Sequence, residues 1–156
     1  MKAYLISVGT KVPTWIQNGF LEFNRRLPAD SALQLIELES PKSAKNKSSE
    51  ERKAEEANLI LKQIKAGAYV VALDEKGEQW TSPQFAKKIE TASSHFPSIY
   101  FIIGGADGLA DTLKSRANCL LSFSAFTFPH MMVRVLLAEQ WYRAMTLISG
   151  HPYHRE

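Results

Sequence analysis

The sequence predicts an α/β fold built on a largely parallel sheet with helices on both faces. Three observations predict it. Short apolar runs ending at glycine or turn residues alternate with segments of helical periodicity along the whole chain. Two of those runs, AYVVALD (68–74) and SIYFIIGG (98–105), are apolar at consecutive positions, as strands covered on both faces are. No repeat or linker divides the 156 residues, so one domain spanning 1–156, with room for a sizeable core, is expected.

The elements follow in order. KAYLISVG alternates and stops at Gly9, giving a first strand. Pro13 opens a helix, PTWIQNGFLEFNRRL, in which Trp15, Ile16, Phe20 and Phe23 recur at near-helical spacing before Pro28 ends it. SALQLIELE gives a second strand through Leu33, Leu35, Ile36 and Leu38. PKSAKNKSS, poor in apolar residues and rich in lysine, reads as a surface loop. Ser48 and Glu51 have capping-box spacing, so the next helix runs from Ser49 to Lys65 with Gly67 beyond it. After the strand AYVVALD, SPQFAKKIETASS is a helix with Ser82 as its cap and Pro83 in the first turn. SIYFIIGG is a buried strand ending at Gly104 and Gly105, ADGLADTLKSRA a short helix, and NCLLSFS a last short strand. A long helix, PHMMVRVLLAEQWYRAMTLIS, closes the fold and stops at Gly150.

Composition narrows the function classes. With 45% hydrophobic and 22% charged residues the chain has the make-up of a soluble protein, and no stretch approaches the roughly 20 apolar residues of a membrane span. MKAYLISVGTK lacks the apolar core of an export signal, so a cytoplasmic location is expected. The net charge of +3 permits a nucleic-acid partner without requiring one. A lone cysteine, Cys119, forms neither an internal disulfide nor a cysteine cluster for zinc. His151 and His154 lack a third ligand and are separated by Pro152, so no metal is expected.

The last helix is too apolar for a surface helix. Met131, Met132, Val133, Val135, Leu136, Leu137, Trp141, Tyr142, Met145, Leu147 and Ile148 cover more than one stripe, and a second copy of the chain is the expected cover.

Three stretches have the residues to carry chemistry. IIGGADGL joins a buried strand to a helix, where open α/β sheets bind ligands. It is neither a Walker loop nor a dinucleotide fingerprint, since Gly104, Gly105 and Gly108 give GGxxG alone. The alternative is a tight turn with no ligand. LSFSAFTFPH (121–130) alternates small and aromatic residues and meets a helix N-terminus, with its free N–H groups and positive dipole end. Read alone, such a stretch is more often a strand and its cap. HPYHRE (151–156) holds two imidazoles, a phenol and a guanidinium, against the alternative of a tail that packs its ring and frays. Asp74, Asp107 and Glu139 read as caps, turns or ion-pair partners rather than catalysts.

Taken together, VGTK, VVALDEKG, IIGGADGL, LSFSAFTFPHMMVRVLLAEQWYRA and HPYHRE resemble, in this order, the RlmH family of ribosomal large-subunit pseudouridine methyltransferases, minimal members of the SPOUT class. The resemblance covers essentially the whole chain. It departs at the glycine turn, where Ala106 and Asp107 replace the family's commoner GG-P/S-x-G. It implies a SPOUT-type sheet with a C-terminal deep trefoil knot, S-adenosylmethionine as cofactor, a homodimer, and methyl transfer to N3 of a pseudouridine in 23S ribosomal RNA on the assembled ribosome. Carried onto this chain, it places the cofactor against Leu73, Gly105, Ser124, Ala125, Phe126, Thr127, Phe128 and Pro129. His130, Arg134, Arg143, His154 and Arg155 become candidates for accepting the N3 proton or stabilising the anion, since histidine can do either and arginine the second. His151, Tyr153, His154 and Arg155 become candidate substrate contacts in a site completed by a partner's tail. Lys42, Lys45, Lys47, Arg25 and Arg26 become candidate phosphate contacts. A SPOUT enzyme acting on transfer RNA and a non-catalytic ribosome-associated protein of the same fold are the alternatives.

Overall fold

The computed structural model describes residues 1–41 and 46–155, the last two by backbone alone. Lys42 and Lys45 of the lysine-rich loop lie outside the described residues. Ten elements alternate: β1 Lys2–Val8, α1 Thr14–Asn24, β2 Leu33–Leu38, α2 Ser49–Leu61, β3 Tyr69–Gln79, α3 Ser82–Ser93, β4 Ser98–Ile103, α4 Asp111–Arg116, β5 Cys119–Ser122 and α5 His130–Ser149. A 3₁₀ turn, Pro152–Arg155, follows.

The strands form one five-stranded sheet in the order β2-β1-β4-β3-β5, and every pairing is parallel. Alternate side chains of the central strands point to opposite faces. Leu5, Val71, Phe101 and Ile103 meet Phe20 of α1, Phe85 and Ile89 of α3, and Leu137 and Trp141 of α5. Tyr4, Ile6, Val70, Ala72, Tyr100 and Ile102 meet Ala57 and Ile60 of α2 and Leu113 of α4. Helices therefore cover both faces, and β4 is buried at all six positions because it lies mid-sheet.

Local chemistry sets several boundaries. Ser48 accepts from the Glu51 N–H while Glu51 accepts from the Ser48 N–H, the capping box that the spacing predicts. Helix α2 ends at Leu61, short of Lys65. At α3 the cap is Thr81 rather than Ser82: Thr81 and Gln84 exchange the same reciprocal pair, and Ser82 becomes the first helical residue. Gly150 closes α5 in the left-handed conformation, φ 75°.

Strand β3 runs past its apolar stretch to Gln79. Its register against β5 shifts between Leu73, which pairs with Leu121, and Glu78, which pairs with the same Leu121. The extra residues, 74–77, loop out above the C-terminal edge of the sheet, and Gly77 lies against the β5 backbone.

Candidate active site

A cavity of about 580 Å³ opens at the C-terminal ends of β3, β4 and β5. The chain leaves β3 for α3 on one face and β4 for α4 on the other. This divergence opens the kind of crevice in which open α/β sheets hold ligands.

Three segments wall the cavity. Leu73, Asp74, Glu75 and Lys76 come from the end of β3 and its looped-out stretch. Residues 103–109 bring the glycine turn, closed by the Gly108 N–H donating to the Gly105 carbonyl at 3.1 Å. Residues 121–124 and 126–130 bring the loop after β5 and the start of α5. That loop is shaped by serines: Ser122 Oγ donates to the Ser124 carbonyl at 2.9 Å, and Ser124 Oγ accepts from the Phe126 N–H at 3.0 Å. Thr127 donates to Glu75 at 3.3 Å, joining two walls across the mouth.

The lining is charged in both signs and close to balanced. Lys53, Lys76 and Lys114 face Asp74, Glu75 and Asp107. Asp74 pairs with Lys114 at 3.3 Å and accepts the Lys76 N–H at 2.8 Å. Asp107 is gripped by Arg52 of α2 at 2.8 and 3.1 Å, which holds its carboxyl below the usual range. The structure thus finds Asp74 and Asp107 as turn and ion-pair residues. This balanced wall suits a small ligand carrying both charges better than a polyanion.

Of the eight residues expected at a cofactor, Leu73, Gly105, Ser124, Phe126, Thr127, Phe128 and Pro129 line the cavity, and Ala125 does not. Phe126 stands out from the loop, 79% exposed. Sequence reasoning missed the looped-out Glu75 and Lys76 together with Lys53, Lys114 and Val133. The signal available for the first two was KG in DEKGEQ, a break in an otherwise extended stretch.

The candidate catalytic residues separate into three places. His130, at the first position of α5, lines the cavity. Burial, and then the charge of Arg134, push its imidazole below the ordinary value, so the neutral form is favoured. Arg134 does not line the cavity. It is 2% exposed and donates to Ser7 Oγ (3.1 Å), the Gly9 carbonyl (2.9 Å) and Glu37 (2.9 Å), tying α5 to β1 and β2. This network holds Arg134 within the fold, away from the lining of its own chain's cleft. Arg143 lies about two and a half turns further along, paired with Glu139 at 2.6 Å.

The tail lies far from its own cleft. Helix α5 has 20 residues, so its two ends are roughly 30 Å apart. His151 is exposed, and its N–H donates to the Thr146 carbonyl at 2.9 Å. Tyr153 folds back on α5: its ring meets Tyr142 edge-on at 4.6 Å, Arg143 sits over it at 5.0 Å, and its hydroxyl donates to Glu139 at 3.0 Å. That ring is engaged within its own chain, at odds with a role in stacking on a base. The backbone of His154 and Arg155 continues the same turn. Among the candidate phosphate contacts, Arg26 pairs with Glu22 at 2.5 Å, Arg25 donates to the Leu21 carbonyl at 3.1 Å, and Lys47 pairs with Glu55.

Among the described residues no three His, Cys, Asp or Glu converge as a metal site requires, and no helix is long and apolar enough to cross a membrane.

An open parallel sheet with a balanced, backbone-walled cleft at its diverging strand ends defines an α/β protein of the class whose sheets hold small ligands at that edge. The family model described as predicted SPOUT methyltransferase matches residues 1–154. A relative from Hahella chejuensis, named ribosomal RNA large subunit methyltransferase H, is 44% identical over 100% of both chains. Another of that name, from Paraburkholderia phymatum, is 44% identical over 99% of each. The chain belongs to the SPOUT methyltransferase family, in the group of ribosomal RNA large subunit methyltransferase H. A solved SpoU methyltransferase, AviRb from Streptomyces viridochromogenes in complex with the cofactor AdoMet, aligns over 92% of this chain and 58% of its own, at TM-score 0.48 and 12% identity.

Proposed function

We propose that the protein is a cytoplasmic homodimer that methylates N3 of a pseudouridine in 23S ribosomal RNA on the assembled ribosome, with S-adenosylmethionine as methyl donor. The end-to-end 44% identity to relatives named for large-subunit ribosomal RNA methylation carries the reading.

The residues present fit that cofactor. Its amino-acid end carries both charges, and the cleft wall offers both signs through Asp74, Asp107, Lys53 and Lys114. Its adenine and ribose need hydrogen-bonding groups and apolar contact, which the backbone of the glycine turn and loop, with Leu73, Phe126 and Phe128, supplies. A cavity of about 580 Å³ is of the size that holds such a molecule. When bound, the cofactor supplies a methyl group on a sulfonium, open to in-line displacement.

The chain's own work is to bring the nucleophile into line and handle its proton. N3–H of pseudouridine is a weak acid. His130, held neutral at the cleft mouth, is placed to accept that proton as the N–C bond forms. A cation opposite would stabilise the developing anion. The backbone of a chain's own His154 and Arg155 lies beyond the far end of α5, roughly 30 Å from the helix start at its cleft. A second copy with its α5 antiparallel brings them to this one. Exposed apolar groups give that copy a surface: Trp15 is 60% exposed and Ile148 42%, and Met131, Met132, Val135 and Leu136 stay half-buried. The trefoil knot of the class belongs to the same reading.

Calorimetric titration with S-adenosylmethionine, followed by nucleoside mass spectrometry of 23S ribosomal RNA from treated ribosomes, tests the proposal. Saturable binding and one added methyl on a pseudouridine are expected. No binding, or a methyl on a different nucleoside, would refute it.

A further inference from the structure

The glycine turn rests on a buried carboxylate that the mechanism above does not use. Glu56 of α2 is 7% exposed, and its Oε2 has no hydrogen-bond partner. It does not line the cleft but lies behind it. A Cβ built on Gly105 would come 2.9 Å from Oε1 and 3.1 Å from Oε2, so the carboxylate sits against the Gly105 backbone. The Gly105 N–H is near enough to act on its charge, and the Gly105 carbonyl accepts from the Gly108 N–H at 3.1 Å. The Gly105 peptide is therefore flanked within the chain by Gly108 on one side and the Glu56 carboxylate on the other. Gly105 is glycine because Glu56 stands where a side chain would go. One helical turn before Glu56, Arg52 grips Asp107 of the same glycine turn, so α2 holds that turn at two points.

Such a group is expensive to keep. A buried carboxylate with an unpartnered oxygen costs free energy, and apolar residues in place of buried charges often stabilise a fold. Burial pushes the Glu56 carboxyl above its ordinary range, and the Gly105 N–H draws it part of the way back. A costly group set against the glycine turn, one of the three segments that wall the cleft, acts on the shape of that wall.

We infer that Glu56 is a positioning residue for the cofactor: as the acceptor for the Gly105 N–H, it sets the orientation of the Gly105 peptide and preforms the cleft wall. The inference rests on the reading of the cleft as the S-adenosylmethionine site. The E56A and E56Q variants test it, because glutamine keeps an acceptor oxygen and alanine does not. In E56A the KM for S-adenosylmethionine should rise roughly tenfold, the size of one lost orienting hydrogen bond, with kcat at saturation held within about twofold. E56Q should stay within about threefold of wild type in both. G105A should weaken cofactor binding in wild type and cost less in the E56A background, since the two residues share one contact. Wild-type KM in E56A, equal losses in E56A and E56Q, or simple additivity with G105A would overturn the inference. Hydrogen exchange of the Gly105 amide in ligand-free protein judges the contact without the cofactor. It should be slow in wild type and E56Q and fast in E56A, and fast exchange in wild type would overturn the inference. If wild type fails to bind S-adenosylmethionine, the functional reading fails, and the exchange arm still decides whether Glu56 holds the turn.

Discussion

No side chain fits at Gly77: a Cβ there would lie 2.6 Å from the carbonyl carbon of Leu120 and 2.7 Å from its oxygen. The looped-out end of β3 crosses close against the β5 backbone at Gly77, and Asp74, Glu75 and Lys76 beside it line the cleft. Both partners at the contact are backbone, so no rotamer change relieves it. G77A should therefore destabilise the fold by about 2 kcal/mol or more, a cost at the upper side of overpacking. Urea unfolding, with the slope checked for constancy, measures it.

Arg134 should prove structural. Removing its guanidinium orphans Ser7, the Gly9 carbonyl and Glu37 together. R134A should cost about 3 kcal/mol or more, as breaking a buried pair does. Its loss of activity should follow the loss of folded protein. Full stability with abolished methylation would return Arg134 to the chemistry.

His130 gives a pH signature. Its folded pKa lies below the unfolded value of about 6.5, so the unfolded chain takes up the proton first. Its contribution to stability is full above about pH 6.5 and falls away as pH drops through the folded value. If the neutral imidazole accepts the N3 proton, kcat/KM should fall on an acid limb below about pH 6.5, and H130N should lose that limb along with about a hundredfold in kcat. An unchanged acid limb in H130N would assign it to another group.

The tail gives a separable test. Deleting 151–156 removes the Tyr153 contacts to Tyr142 and Glu139 but no residue that lines the cleft. S-adenosylmethionine binding should persist while methylation of ribosomes is lost. Mixing the deletion protein with a cleft-defective full-length chain should restore part of the activity if a dimer carries tail and cleft on different copies. Full activity in the deletion protein alone would remove the tail from the site.

The sheet was legible because two of its strands, β3 and β4, carry apolar residues at consecutive positions, a pattern that doubly covered strands need. The Ser48–Glu51 capping box was legible as spacing, whereas Ser82, just before Pro83, has the look of the α3 cap and is not it. The Thr81–Gln84 spacing carries the reciprocal bonds and was the better signal. The continuation of β3 through DEKGEQ was not legible, since a strand that leaves the core loses its apolar signature. Seven of the eight expected cofactor residues sit at one cavity, because the strand-to-loop edges that carry them end on one side of a parallel sheet. Glu56 was invisible: a glutamate in a polar helix reads as solvated, and only the packing of α2 beneath the glycine turn buries it. The distance between the tail and its own cleft follows from the length of α5, but only a structure shows Tyr153 folded back on that helix.

The most direct test of the account supplies labelled S-adenosylmethionine and the protein to intact ribosomes, separated subunits and transfer RNA, and follows the label. The account predicts label in 23S ribosomal RNA of intact ribosomes, on a pseudouridine. Label in transfer RNA, or bound cofactor with no transfer to any fraction, would contradict it.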